Sequence, residues 1–247
     1  MKILSIVPAR AGSKGIPGKN IKPLAGIPLL GYSIAAGLQA KSPMRVIVST
    51  DEARIGRCAK NYGAEFLFLR PQSLAEDYVQ DLPVISHALL WLNKNEGYKP
   101  DIIVLLRPTS PFRPIGCIDE AIKIMKKNNN VDCVRAVIPS GEEPYKMWKL
   151  SAAGMRPLLK SRFREPYNMP RQKLPKTYWQ TGQIEVIRYS TIIEKKSMTG
   201  SRIYPIIMNP RFSIDIDNPE QWEVAEVMMK KFRKENVVYV PKIKKGK

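Results

Sequence analysis

The chain has 247 residues, 44% of them hydrophobic, with 41 Lys and Arg against 22 Asp and Glu for a formal net charge of +19. That length can bury a full core and suits one large α/β domain with an appendage, and the charge implies an anionic partner: nucleic acid, a membrane surface or a small phosphorylated and carboxylated substrate. Cys58, Cys117 and Cys133 stand too far apart for a Cys-x-x-Cys pair, so neither a zinc site nor a disulfide framework is signalled, and no apolar stretch reaches membrane-spanning length. A cytoplasmic protein with no membrane partner is expected.

Residues 3–7 read as a strand that empties into Pro8-Ala9-Arg10-Ala11-Gly12-Ser13-Lys14-Gly15-Ile16-Pro17-Gly18-Lys19-Asn20, a basic, glycine-rich loop. Glycines let such a loop turn tightly and bring backbone N–H groups to a ligand, and Arg10, Lys14 and Lys19 add positive charge, so a phosphate is the expected guest. The common phosphate motifs do not fit. Ser13 stands where a Walker A loop needs its first Gly and Asn20 where it needs a hydroxyl, and Gly12, Gly15 and Gly18 are spaced three apart instead of as Gly-x-Gly-x-x-Gly. What favours binding over a merely solvated loop is its position straight after the first strand.

Further along, residues 27–40 have helical spacing and 45–50 form a β-branched strand ending at Asp51. A helix over 52–62 stopped by Gly63, a strand over 65–69 and a helix over 82–93 with Asp81 as N-cap follow. Residues 101–106 are a continuous apolar run, the pattern of a strand buried on both faces; then come a helix over 115–127 and a strand over 131–138. This alternation predicts a mostly parallel, twisted sheet with helices on both faces and ligands at the C-terminal strand ends.

The rhythm breaks over 139–181, where Arg156, Lys160, Arg162, Arg164, Arg171, Lys173 and Lys176 mix with prolines and with Tyr145, Trp148, Phe163, Tyr167, Tyr178 and Trp179. So many aromatic residues argue against disorder and for an arm or small subdomain that packs on something. Strands resume at 183–187 and 203–208, Asn218 caps a last helix with Pro219 at its first position, and a basic, solvated tail closes the chain. The expected division is therefore a core from 1–138, an arm from 139–181, a return to the core over 182–236 and a tail over 237–247.

In Ser213-Ile214-Asp215-Ile216-Asp217, alternation along an extended segment sets both aspartates on one face. Two carboxylates pointing the same way need a cation, and magnesium held by one or two carboxylates with phosphate oxygens is the usual answer at nucleotide sites. Arg107-Pro108-Thr109-Ser110-Pro111-Phe112-Arg113 closes the buried strand at its ligand end, where Thr109, Ser110 and the arginines can grip hydroxyls or a carboxylate; Arg70-Pro71 with Leu74-Ala75-Glu76-Asp77 ends another strand nearby. His87, the only histidine, reads as structural.

The order Pro8-Ala9-Arg10-Ala11-Gly12-Ser13-Lys14-Gly15 with Lys19-Asn20, Ser49-Thr50-Asp51, Arg70-Pro71 with Leu74-Ala75 and Asp77, Pro108-Thr109-Ser110-Pro111 with Arg113, Pro170-Arg171-Gln172 with Leu174-Pro175, and Ser213 through Asp217 resembles the acylneuraminate cytidylyltransferases, or CMP-sialic acid synthetases, nearly end to end. The resemblance implies a Rossmann-like fold of the nucleotide-diphospho-sugar transferase type and a cytoplasmic homodimer whose protruding arm reaches the partner's active site. It also implies magnesium-dependent transfer of CMP from CTP to a nonulosonic acid, an acidic nine-carbon sugar, with release of pyrophosphate. By the same resemblance Ala9, Arg10, Ala11, Gly12, Ser13, Lys14, Lys19, Asn20, Arg70 and Asp77 bind the nucleotide, and Asp215 and Asp217 bind the metal. Lys19, Arg10 and the two aspartates carry the chemistry, and Arg107, Thr109, Ser110, Lys146, Arg171, Gln172, Thr181 and Gly182 meet the sugar.

Three positions depart from many members, which carry Gln at Arg107, Asn at Thr181 and Tyr at Glu185, so legionaminic and pseudaminic acids compete with N-acetylneuraminate as acceptor. Another sugar nucleotidyltransferase with a different nucleotide is a second reading. A third, of another class, is a basic nucleic-acid-binding protein; much of the excess charge falls on the loops just named or on the tail, which favours the enzyme and no nucleic-acid partner.

Overall fold

A computed structural model describes residues 1–242. Strand β1 (Ile3–Pro8) is followed, beyond the basic loop, by a two-residue hairpin of β2 (Pro23–Leu24) and β3 (Ile27–Pro28), then helix α1 (Leu29–Gln39), β4 (Arg45–Ser49) and α2 (Ala53–Asn61). Next come α3 (Asp81–Glu96), β5 (Ile102–Leu105), α4 (Cys117–Lys127) and β6 (Cys133–Pro139). The arm holds an antiparallel hairpin, β7 (Trp148–Ser151) and β8 (Gly154–Pro157), before β9 (Tyr178–Arg188), α5 (Tyr189–Ile193), β10 (Ile203–Ile207) and α6 (Pro219–Glu235).

Six strands form one sheet in the order β10-β6-β9-β5-β1-β4, all parallel except β9, which runs antiparallel to both neighbours. Because successive strand residues face opposite ways, Ile3 and Val7 join a core under α1, α2 and α4, while Leu4 and Ile6 join another under α3 and α5. A third cluster wraps α6 against the β2–β3 hairpin and α1 through Leu24, Tyr32, Trp222, Met229 and Phe232. The expected mostly parallel sheet with helices on both faces is present.

Several boundaries differ from expectation. Ile27 and Pro28 pair with Leu24 and Pro23, so the helix expected from residue 27 starts at Leu29. Residues 65–69 follow β4 only through isolated bridges at Glu65 and Leu69, not as a full strand. Gln80, not Asp81, occupies the N-cap position of α3; Asp81 is its first residue and its carboxylate pairs with Arg107. Strand β9 begins at Tyr178, inside the span assigned to the arm, because Tyr178, Trp179 and Gln180 pair with the end of β6 after a shift in register. Val238 and Tyr239 are buried, and the Tyr239 hydroxyl accepts from the Gly116 N–H at 2.8 Å, so the core runs past the expected start of the tail. The tail lysines Lys244, Lys245 and Lys247 lie outside the described residues.

Candidate active site

Parallel β1, β4 and β5 end on the same edge of the sheet, and antiparallel β9 begins there, since Tyr178 lies beside Pro139 and Glu185 beside Leu105. A cleft of about 450 Å³ opens on this edge. It is lined by Arg10, Ser13, Lys14, Gly15, Lys19 and Asn20 of the first loop, by Arg70, Asp77 and Asp81, by Arg107 and Thr109, and by Asp217 from near the other end of the chain. Ligand sites at the C-terminal edge are the rule for such sheets.

Two contacts build the cleft from distant segments. Lys19 is buried, and its ammonium donates to the Ile216 carbonyl at 2.7 Å and the Asp217 carboxylate at 3.0 Å. Gly15 lies so close to the same segment that a Cβ there would stand 1.9 Å from the Asp217 carbonyl oxygen. Gly18 turns the chain with φ +63°, a conformation that costs glycine little. Ala9 and Asn20 act within the loop: the Ala9 N–H donates to Ser49 O at 2.9 Å, and the Asn20 amide donates to Arg10 O at 2.8 Å. The Ala11 N–H donates to Asp51 at 3.0 Å. Gly12 has open space around it.

Residues 213–218 are not part of the sheet, yet the expected alternation holds, with Ile216 fully buried and Asp215 and Asp217 exposed. The Ile216 N–H donates to Thr109 O at 2.9 Å, which fastens this segment to the turn after β5. Asn218 then caps α6 by a capping box with Gln221, and Pro219 follows at the first helical position, as expected. Among the described residues, no group of three or more His, Cys, Asp or Glu side chains could hold a metal ion. The protein offers two carboxylates, and Asp217, unlike Asp215, lines the cleft itself.

The basic side of the cleft is balanced by acids. Asp77 accepts from Arg10 Nη2 at 3.0 Å and pairs with Lys14, whose ammonium holds the carboxyl below the usual carboxylate range. Arg70 is buried, donates to Ser49 O at 3.1 Å, and has an Nε that meets no hydrogen-bond partner among the described residues; burial lowers its pKa. Arg107 pairs with Asp81 and, at 2.5 Å, with the fully buried Glu185, whose other oxygen accepts from Arg135 at 2.6 Å.

Sequence reasoning missed Asp81 in the cleft, because its partner lies 26 residues away and only the fold brings them together. Arg113, fully buried, donates to Gln183 O at 2.5 Å, Ser33 Oγ at 3.0 Å and Arg107 O at 2.7 Å, and burial pushes its pKa down to about 9. It pins the Arg107 turn to β9.

The remaining candidates stand away from the cleft wall. The Ser110 hydroxyl is buried and donates to Asp215 at 3.1 Å, so Ser110 reaches the site through that carboxylate. Gly182 packs against the same hydroxyl, so closely that a Cβ at this position would stand 2.8 Å from Ser110 Oγ. Thr181 is buried and bonds to Gln183 within β9. Lys146, Arg171 and Gln172 lie exposed on the arm, where Arg171 is tied to Ser140 and Glu143. His87 packs edge-on against Phe68, as a structural histidine does.

Fold and cleft together define a Rossmann-like α/β protein with a cleft rich in basic residues at its strand ends. The cytidylyltransferase family model matches residues 4–240, and the chain belongs to that family and is a nucleotidyltransferase. It is 34% identical to a CMP-N,N'-diacetyllegionaminic acid synthase of Legionella pneumophila over 93% of this chain and 97% of that protein. It is also 34% identical to an N-acylneuraminate cytidylyltransferase of Escherichia coli over 96% of this chain but 54% of that protein. Among solved structures, a CMP:2-keto-3-deoxy-manno-octonic acid synthetase complexed with CTP superposes with TM-score 0.67 over 94% of this chain and 99% of that one, a likeness of fold at 17% identity.

Proposed function

We propose that this protein transfers CMP from CTP to the anomeric hydroxyl of a nonulosonic acid and releases pyrophosphate. The observation that carries the reading is the convergence of Arg10, Lys14 and Lys19 with Asp217 in one strand-end cleft of a cytidylyltransferase-family chain. The sugar oxygen attacks the α-phosphorus in line with the bridging oxygen to the β-phosphate; its bond to the α-phosphorus forms as the bond from that phosphorus to the bridging oxygen breaks, pyrophosphate leaves with the bridging oxygen, and the hydroxyl proton passes to solvent. Arg10, Lys14 and Lys19 offset the negative charge of the triphosphate and of the departing pyrophosphate, which is most of what a protein must supply in such a transfer.

Magnesium fits the donor set. Asp215 and Asp217 would hold it, with phosphate oxygens and water completing the shell, as is usual for an ion that takes one or two carboxylates at nucleotide sites. When bound, it adds Lewis-acid stabilisation of phosphate charge. The relatives' names support an acidic nine-carbon acceptor, with legionaminic acid and N-acylneuraminate equally in view at 34% identity.

The homodimer is part of the same reading. All eight residues of the β7–β8 hairpin are exposed, including Leu150 at 80% and Met155 at 56%, and Trp179 beside the arm is 63% exposed, an apolar surface suited to a second subunit. Lys146 and Arg171 do not line this chain's own cleft, which agrees with an arm that serves the partner's. A cytoplasmic location belongs to the same reading, and all three cysteines are free; no described helix is long and apolar enough to cross a membrane. Pyrophosphate release over a panel of nucleoside triphosphates and nonulosonic acids with magnesium tests the reading: release is expected with CTP and an acylated nonulosonic acid, and release independent of the acid would defeat it.

A further inference from the structure

Asp77, expected among the nucleotide-binding residues, stands between two cations of the first loop. Its one carboxylate, on the loop after Arg70, takes Arg10 Nη2 at 3.0 Å on Oδ1 and the Lys14 ammonium on Oδ2. Both cations belong to the loop that meets phosphate under the proposed function, and all three residues line the cleft. The third cation, Lys19, is held separately by Asp217 and the Ile216 carbonyl. A carboxylate and a phosphate group are competitors for the same N–H donors, since both are acceptor-only anions of similar reach. Like charges in close quarters repel, so Arg10 and Lys14 need an anion between them to stay together. The Asp77 side chain is 36% exposed and, among the described residues, its loop is hydrogen-bonded to Arg10 otherwise only by a 3.4 Å contact to Ala75 O, so the carboxylate can leave without opening a core.

We infer that Asp77 is a built-in stand-in for phosphate: it holds Arg10 and Lys14 in register when no triphosphate is bound and is displaced by the triphosphate when it binds. Asp77 is thus a positioning residue whose cost falls on nucleotide affinity. The inference rests on the proposed CTP site and predicts the opposite sign from a ligand or a fixed strut. Removing the carboxylate should tighten triphosphate binding.

The test is calorimetric titration of CTP, and separately of inorganic tripolyphosphate, into the full chain with EDTA present and no sugar. Asp77→Asn and Asp77→Ala should each bind both probes roughly two- to fivefold tighter than the wild type, the range that exposed ion pairs support. The gain should shrink at high salt, and Asp77→Glu should stay near wild type. Melting curves establish that each variant is folded. Unchanged or weaker binding by the two neutral variants overturns the inference while leaving the CTP site intact. A wild-type chain that binds neither probe, in EDTA or with magnesium in its place, would instead defeat the CTP reading and the inference with it.

Discussion

Lys19 is the residue at which the two ends of the chain meet. A buried ammonium needs acceptors, and here they are the Ile216 carbonyl and the Asp217 carboxylate, almost 200 positions away in sequence. Asp215, held by Ser110, completes the acidic side. Asp215→Asn keeps the shape but removes a charge, so kcat is expected to fall about 100-fold or more while the melting temperature moves by less than about 2 °C, checked by pyrophosphate release beside a thermal melt; near-normal turnover would remove Asp215 from the proposed metal site. Glu185 differs because it is fully buried between Arg107 and Arg135. Glu185→Gln leaves two arginines facing each other across a neutral amide and is expected to cost about 2–3 kcal/mol, read as a lower urea midpoint at constant m-value.

At the scale of elements, the loop and the 213–218 segment work because they touch. Gly15→Ala would set a methyl against the Asp217 carbonyl and force the two apart. The variant is expected to raise the KM for CTP about tenfold or more, read from pyrophosphate release at varied CTP. The far end of the sheet carries a different lock. Buried Asp132, just before β6, accepts from the Lys195 ammonium at 2.5 Å and from the Ser201 and Arg202 N–H groups, which together hold its carboxyl down to about 2. Its folded pKa lies below the unfolded one, so its stabilisation is complete above about pH 4 and is lost as pH falls toward 2. Asp132→Asn should therefore lose about 1–2 kcal/mol at pH 7 and show a flatter stability profile between pH 4 and 2 in urea melts.

Legibility in the sequence followed local chemistry. The strand-then-basic-loop order at Ile3 to Asn20, the buried run of β5 and the Asn218-Pro219 helix start are all written in neighbouring residues, and each is where the pattern put it. What escaped depends on distant partners: Asp81 as a cleft residue, the antiparallel insertion of β9, and the burial of Val238 and Tyr239. Periodicity reports which face of an element is apolar, not which strand it will lie beside.

At the scale of the whole molecule, a net charge of +19 first admits nucleic acid as well as nucleotide. The fold narrows this by drawing Arg10, Lys14, Lys19, Arg70 and Arg107 into one concave cleft of about 450 Å³, a size for a small ligand and not for a duplex. The most direct measurement is the fate of CTP labelled at its α-phosphorus, incubated with magnesium and either N-acetylneuraminate or N,N'-diacetyllegionaminate. Label appearing in an acid-labile CMP-sugar, in one-to-one proportion with pyrophosphate, is the predicted result; label that stays in CTP, or ends only in free CMP whichever acid is present, would contradict it.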